Sequence, residues 1–136
     1  MNITYKQTKT INLEQVENLY NDVGWTAYTK NMDLLQQALL QSLDVISAWD
    51  GDQLVGLIRT VGDGLTILYI QDILVLDAYQ NQGIASKLLQ MVLQKHETVR
   101  QKVLLTEEAP DVRHFYEKNG FESCDKGSVV AFGRFQ

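Results

Sequence analysis

The sequence predicts a fold of the α/β (α+β) class, with helices packed on a central β-sheet. Apolar residues recur at helical spacing between residues 16 and 23, which is typical of an amphipathic helix. A strand-like apolar run at residues 73–76 passes through a short turn into a second amphipathic segment. The chain has 136 residues, of which 45% are hydrophobic. These values suit a single domain, residues 1–136, with one core.

The first half of the chain is expected to form a strand, two helices and three further strands. The first short strand is expected at residues 3–6. Asn12 and Gln15 form a capping pair for the first helix, and Gly24 is a typical stop for its C-terminus. The second helix is expected to begin near Asn31. A hairpin and a long strand follow, at residues 44–49, 53–61 and 65–75.

The second half is expected to add two helices and three strands. The central helix should span residues 82–96, with one apolar face. Pro110 suits the first turn of the last helix, and Gly120 suits its end. The remaining strands, which would complete the sheet, are expected at residues 102–106, 121–123 and 128–135.

Charge and cysteine content argue against several functional classes. A net charge of −5 argues against a nucleic-acid partner, which requires a basic surface, and mildly favours cationic substrates. The single cysteine, Cys124, can form no intrachain disulfide, which suits a cytoplasmic location. The N-terminus lacks a signal-peptide pattern. The most apolar segment, residues 65–76, is far shorter than the roughly 20 residues of a membrane span, so no membrane partner is expected.

The junction between the long strand and the central helix is the strongest sign of a ligand site. It carries the spacing Gln80-x-x-Gly83-x-Ala85. A helix N-terminus directs unpaired N–H groups and the positive end of the helix dipole at whatever lies above the turn. Small residues let a ligand approach the backbone. A phosphate is the ligand that such a junction favours, and the alternative is an ordinary helix N-terminus.

Two motifs together resemble those of the GNAT superfamily of N-acetyltransferases. The spacing at residues 80–85 resembles its motif A, [Q/R]-x-x-G-x-[G/A], and residues 115–121, Phe-Tyr-Glu-Lys-Asn-Gly-Phe, resemble a signature near the end of its domains. The resemblance extends from about residue 3 to residue 135. It implies a mixed, mostly antiparallel twisted sheet, splayed at a cofactor cleft and flanked by about four helices. It also implies acetyl transfer from acetyl-CoA to a primary amine, which we expect to belong to a small molecule.

The resemblance also implies roles for individual residues. In this family the strand before motif A binds the pantetheine arm, a role that falls to Ile73, Leu74 and Val75. The pyrophosphate would lie on Gln80, Asn81, Gln82, Gly83, Ile84, Ala85 and Ser86. Tyr116 would be the general acid that protonates the departing thiolate during direct attack in a ternary complex. The alternative for Tyr116 is a ring that fills the core or only hydrogen-bonds the cofactor sulfur.

The general base is poorly specified by the sequence. The acidic candidates are Asp72, Glu107, Glu108 and Asp111. Many family members place a glutamate in the strand that corresponds to residues 103–105, where this chain has only apolar residues. A water relayed from one of the acids, or an amine that arrives neutral, is an equal alternative. The alternative for each of these acidic residues is a charged loop side chain in solvent, with no role in catalysis.

Aromatic residues between the first two helices are candidates for the acceptor site. Trp25 and Tyr28 could form a wall that holds an ammonium or an aliphatic body, with Asp72 as a further substrate-binding candidate. Packing of the helix pair is the alternative. Arg59 and Asp63 are candidates for the edge of the site. His96 and His114 have no metal-ligand partners at useful spacing and are expected at the surface, so no metal is predicted.

Two other function classes stay open on the sequence alone. One is a non-catalytic or regulatory acyl-CoA-binding module, and the other is an acetyltransferase that acts on protein lysines or N-termini. A screen of amines for coenzyme A release separates the first from an enzyme. A homodimer is left open.

Overall fold

The structure is a computed structural model that describes residues 2–136. The chain forms two compact units, which divide between Leu105 and Thr106. In the described part of the chain, no helix has both the length and the apolar character that crossing a membrane requires.

Within residues 2–105, the first unit is a five-stranded mixed sheet with four α-helices. The strand order is β1-β2-β3-β4-β5, and every neighbouring pair is antiparallel except β4–β5, which is parallel. This confirms the predicted mixed, mostly antiparallel sheet. The elements are β1 (Ile3–Gln7), α1 (Leu13–Asp22), α2 (Thr26–Thr29), α3 (Met32–Leu40), β2 (Asp44–Asp50), β3 (Gln53–Gly62), β4 (Ile67–Val75), α4 (Ile84–Lys95) and β5 (Gln101–Leu104).

Side-chain caps begin two of the helices at the expected places. Asn12 Oδ1 accepts a hydrogen bond from the Gln15 N–H at 3.1 Å, and Asn31 Oδ1 accepts one from the Leu34 N–H at 3.1 Å. Gln15 does not complete a reciprocal capping pair. Its side chain instead reaches the turn between β2 and β3, where it donates to the Asp52 carbonyl and accepts from the Leu54 N–H. This contact ties α1 to the sheet.

The core lies on both faces of β3, whose residues 54–60 are all buried. Helix α1 contributes Val16, Leu19 and Tyr20, and helix α4 contributes Ile84, Leu88, Leu89 and Val92. Gly56 permits the close approach of α4, because a Cβ there would lie 3.1 Å from Ile84 Cγ2 and 3.3 Å from the Leu74 carbonyl oxygen. Burial of these side chains stabilises the strand-to-helix junction that follows β4.

His96, which the sequence placed at the surface, is largely buried. Its side chain is 11% exposed, and its Nε2 lies 2.7 Å from Asp44 Oδ2, which also accepts a hydrogen bond from Thr60 at 2.7 Å. A buried carboxylate needs such partners, and spacing along the chain gave no sign of this pairing. His114 is exposed, as expected.

The second unit contains one α-helix, α5 (Pro110–Lys118), and a short 3-10 turn, Cys124–Lys126. The predicted strands at residues 121–123 and 128–135 were wrong, since no strand lies beyond β5 in the part of the chain described. Their apolar residues gave the segment a high β-propensity, but a strand forms only where a neighbouring strand completes its hydrogen bonds. Phe132 and Phe135 are instead 92% and 83% exposed.

Candidate active site

Strand β4 has an open edge along its second half. Its parallel pairing with β5 ends at Ile70, opposite Leu104, so residues 72–75 pair with β3 alone among the described residues. A β-bulge falls at the same place, because Arg59 pairs with Asp72 whereas Thr60 pairs with Ile70. A bulge increases the local twist and turns a strand away from its neighbour. The open edge therefore contains the residues that were expected to meet a pantetheine arm, Ile73, Leu74 and Val75.

The turn between β4 and α4 is held in place by side chains from two other elements. A short 3-10 turn spans Asp77–Tyr79. The Asp77 N–H donates to Asp22 Oδ2 on α1 at 2.8 Å, and the Tyr79 hydroxyl donates to Asp50 Oδ2 on β2 at 2.6 Å. These contacts fix the path of the backbone into α4.

Six consecutive backbone N–H groups at this junction have no hydrogen-bond partner in residues 2–136. They run from residue 81 to residue 86, and the next one, on Lys87, donates to the Gly83 carbonyl oxygen at 3.0 Å. Asn81 and Gly83 have positive φ values of 62° and 83°. A Cβ on Gly83 would meet nothing within 4 Å, so the surface above the turn is open. Free N–H groups, an open surface and a helix N-terminus fit a pyrophosphate.

The predicted pyrophosphate residues lie on both sides of the start of α4. The loop before the helix contains Gln80, Asn81, Gln82 and Gly83, and the first helical turn contains Ile84, Ala85 and Ser86. The first turn of α4 contains no acidic residue that would repel an anion. The Gln80 side chain donates from Nε2 to the Val75 carbonyl oxygen at 3.2 Å. The structure therefore brings the predicted pyrophosphate residues together beside the open end of β4.

Asp72 is the centre of a buried hydrogen-bond network at the other end of this edge. Its carboxylate is 1% exposed. Oδ2 accepts hydrogen bonds from the Tyr20 hydroxyl at 2.9 Å and from Arg59 Nε at 2.8 Å, and Oδ1 accepts one from the Tyr28 hydroxyl at 2.8 Å. Both oxygens are therefore engaged, and Asp72 holds the two phenols and the guanidinium in place.

The network also changes the acidity of its members. Burial and the adjacent Asp72 carboxylate raise the pKa of the Tyr20 phenol. Burial likewise raises the pKa of Tyr28, with Asp72 adding to the effect and a hydrogen bond from Gln71 opposing it. Burial acts against the charge on Arg59, but the Asp72 carboxylate outweighs it and raises the pKa of the guanidinium. Both phenols therefore stay protonated, and Arg59 stays charged, at physiological pH.

Trp25 and Tyr28 lie against this network, as expected of an aromatic wall. The Tyr20 ring centroid lies 5.2 Å from that of Tyr28 and 6.3 Å from that of Trp25, and the Trp25 and Tyr28 centroids are 6.3 Å apart. The short helix α2 holds both residues, since Trp25 is its N-cap and Tyr28 is in its only turn. Trp25 is 38% exposed. The cluster is thus compatible with an acceptor-binding wall, because Trp25 is presented to solvent. It is equally compatible with packing of the helix pair, because the rings pack against Tyr20.

The other acidic candidates differ from Asp72. Glu107, Glu108 and Asp111 belong to the second unit and are exposed. Arg113 forms an ion pair with Glu108 and lowers the pKa of that carboxyl. Asp63 is engaged in its own turn, where Oδ1 accepts from the N–H groups of Leu65 and Thr66 at 2.9 Å and 2.8 Å.

Tyr116 lies on α5, in the second unit. Its ring is edge-on to Phe115 and Phe121, with centroid distances of 5.0 Å and 5.8 Å. Burial raises the pKa of its phenol above the ordinary value of 10.0. The phenol therefore carries its proton throughout the physiological pH range.

Sequence reasoning missed Tyr20 and Gln71 as members of the network. Tyr20 was assigned to the apolar face of α1 by its spacing, which is correct for its ring but says nothing of its hydroxyl. Its partner Asp72 lies 52 residues away in the chain. The polar pair Gln71–Asp72 inside an apolar strand was the available signal.

Comparison with known proteins identifies the family. Residues 7–135 match the acetyltransferase (GNAT) domain family. No curated protein sequence is significantly similar to this chain. A GNAT-family acetyltransferase from Streptococcus pneumoniae TIGR4 is 40% identical, with a TM-score of 0.82 over 98% of this chain and 99% of that chain.

Two further solved structures share the fold. A probable acetyltransferase from meticillin-resistant Staphylococcus aureus is 25% identical, with a TM-score of 0.74 over 97% of this chain and 100% of that chain. An aminoglycoside acetyltransferase from an uncultured soil metagenomic sample, in complex with sisomicin, is 16% identical. Its TM-score is 0.69 over 98% of this chain and 97% of that chain, a likeness in fold alone. The family match and the S. pneumoniae relative show that this chain belongs to the GNAT family of acetyltransferases and is an acyltransferase.

Proposed function

We propose that this acyltransferase moves an acetyl group from acetyl-CoA to a primary amine of a small molecule. The observation that carries the proposal is the run of six N–H groups, without a partner in residues 2–136, beside the open edge of β4. Acetyl-CoA would supply the acyl group as an activated thioester. The free N–H groups of residues 81–86 would hold its pyrophosphate, and the open backbone edge at residues 73–75 would hold its pantetheine arm as an added strand would.

Tyr116 is our candidate for the general acid. Its position in the motif of residues 115–121 supports this role, and so does the raised pKa of its phenol, which keeps the proton on the oxygen until a strong base forms nearby. A departing thiolate is such a base. We assign no carboxylate as the direct base, because both oxygens of Asp72 already accept hydrogen bonds and Glu108 is paired with Arg113. Glu107 and Asp111 are exposed in the second unit, as solvated loop charges are. The amine would then arrive neutral or lose its proton to water.

Trp25 and Tyr28 are our candidates for contacts with the acceptor. Trp25 is partly exposed, and Tyr28 is held in one orientation by hydrogen bonds with Asp72 and Gln71. A fixed aromatic surface attracts an ammonium or an aliphatic body. The aminoglycoside acetyltransferase that shares the fold is in complex with sisomicin, which supports a small-molecule acceptor. The single, exposed Cys124 supports a cytoplasmic location.

A two-part experiment tests this function. Acetyl-CoA should raise the thermal midpoint of the protein by linkage, and a screen of amines, polyamines, aminoglycosides and peptides should show coenzyme A release with small amines. A thermal shift without release from any acceptor would indicate a non-catalytic binding module. Efficient acetylation of proteins, with no activity on small amines, would indicate a protein acetyltransferase. The absence of a shift with both acetyl-CoA and free coenzyme A would overturn the cofactor assignment.

A further inference from the structure

Arg59 is a buried arginine with most of its hydrogen-bonding capacity unused. The residue is 6% exposed and lies on β3, directly opposite Asp72. A guanidinium has five N–H donors. Only the one on Nε has a partner among residues 2–136, namely Asp72 Oδ2 at 2.8 Å. The two terminal nitrogens, with four N–H groups between them, make no hydrogen bond to the described residues.

These terminal nitrogens are in contact with solvent despite the burial of the side chain. In the described residues, the only fully buried side-chain nitrogen or oxygen without a hydrogen bond of regular geometry is Asp44 Oδ1, which lies 2.8 Å from Lys95 Nζ in an ion pair. Each terminal nitrogen of Arg59 therefore retains some accessible surface. Donors that are only partly hydrated gain from an oxygen ligand, and the ion pair with Asp72 already holds Arg59 in place for one.

The geometry of the pair selects the kind of ligand. Asp72 meets Arg59 through Nε alone, and its second oxygen accepts from Tyr28. The end of the guanidinium that carries the two terminal nitrogens is left free, and its parallel N–H groups match the two oxygens of a carboxylate. Stacking of the guanidinium over the Tyr28 ring, 6.0 Å from its centroid, limits its rotation.

We propose that the acceptor amine also carries a carboxylate, which binds the terminal nitrogens of Arg59. This inference rests on the proposed function and names the substrate class of that site. Arg59 and Asp72 face each other one residue before the segment 73–75 that we assign to pantetheine, and strands rise by about 3.3 Å per residue. An amine and a carboxylate separated by a few carbon atoms span a comparable distance. Gln71, whose Nε2 donates to Tyr28 at 2.9 Å, keeps its Oε1 available for the amine N–H.

The first test compares acceptors on the unmodified enzyme. Four primary amines that share one apolar body are compared; they carry a carboxylate, a carboxamide, a phosphonate or no further group. Coenzyme A release is assayed for each amine at a pH that gives the same fraction of neutral amine. We expect kcat/KM to be about ten-fold or more higher for the carboxylate than for the carboxamide, the effect of one charge-assisted hydrogen-bonded pair. A preference for the phosphonate alone would assign Arg59 to phosphate instead. Equal rates with all four would overturn the inference and leave the acetyltransferase assignment intact.

The second test uses Arg59→Lys, which keeps a cation beside Asp72 and removes the planar fork. It should abolish the preference for the carboxylate through KM for the acceptor, while KM for acetyl-CoA stays unchanged. Arg100→Lys, at an exposed arginine, is the matched control. Binding is also followed without turnover, by tryptophan fluorescence and by the thermal midpoint with the amino carboxylate alone. The two tryptophans are Trp25, which lies against the network, and Trp49, which is buried. These two binding signals test the site even if no acceptor causes release of coenzyme A. Equal changes in fluorescence and thermal midpoint for the parent protein and Arg59→Lys would contradict the proposed carboxylate site.

Discussion

The two ends of the open edge of β4 differ in how their polar groups are hydrogen-bonded. At the Asp72 end, the carboxylate and both phenols are paired inside the protein. At the turn end, six successive N–H groups are unpaired in the described residues. Unpaired backbone donors are tolerated only where a ligand or water meets them. The first arrangement fixes side chains through internal hydrogen bonds, whereas the second leaves a run of backbone donors for a ligand or water, so substitutions at the two ends should have different kinds of effect.

The largest effect is expected from Asp72→Asn, which leaves the buried charge of Arg59 without its counter-ion. Removing one partner of a buried ion pair costs about 3–5 kcal/mol. Urea unfolding followed by circular dichroism measures the loss of unfolding free energy. The control Asp52→Asn, on the exposed turn between β2 and β3, should change it by less than about 0.5 kcal/mol. Equal losses in the two variants would show that the network does not stabilise the fold.

Gly83→Val should affect ligand binding far more than folding. A branched side chain there would occupy the open surface above the N–H groups and strain a backbone with φ of 83°. We expect most of the thermal shift that acetyl-CoA produces to disappear. Gly24→Val is a close control, because Gly24 also has φ of 83° and a Cβ there would also meet nothing within 4 Å, but this glycine lies after α1. If both variants keep the shift, the turn is not the pyrophosphate site.

Tyr116→Phe should lower kcat by about ten-fold or more, the usual scale of acid catalysis, with little change in KM for acetyl-CoA. Because burial raises the pKa of the Tyr116 phenol above 10.0, its proton is lost only above that pH. The rate of the parent enzyme should therefore not fall between about pH 7 and pH 9 through loss of this acid. Tyr5→Phe, on β1, serves as the control. An unchanged kcat, measured where chemistry limits turnover, would remove Tyr116 from the acid role.

The smallest effect is expected from Trp25→Ala. Loss of one partly exposed aromatic contact should raise KM for the acceptor about two- to five-fold, the scale of an exposed cation–π contact. KM for acetyl-CoA should stay nearly unchanged. Leu65→Ala, at a residue that is 79% exposed, is the control. A change in KM for acetyl-CoA alone, with KM for the acceptor unchanged, would assign Trp25 to packing or to a cofactor contact.

The two ends also differ in how far the sequence predicts them. The turn is local, so the spacing of Gln80, Gly83 and Ala85 was enough to locate the free N–H groups. The Asp72 network joins α1, α2, β3 and β4, and no short-range pattern announces a hydrogen bond between residues 52 positions apart. The sequence marks Asp72 as a candidate base or substrate contact, and the structure adds its hydrogen bonds with two tyrosines and an arginine.

Strand prediction failed for a related reason. Segments that pair within a hairpin, such as β2 and β3, were located to within one residue at each end. The segment at residues 128–135 has equally favourable residues for a strand, but its partner would have to be supplied from elsewhere in the chain. Intrinsic propensity does not specify that partner.

Helix α1 contacts both ends of the open edge of β4. It carries Tyr20, which holds the Asp72 network, and two residues later Asp22, which fastens the Asp77 N–H. A small displacement of this one helix would change both places at once. Occupation of the turn by the cofactor and of the aromatic wall by the acceptor should therefore be energetically coupled. Thermodynamic reciprocity requires that each ligand then alters the affinity of the other by the same factor.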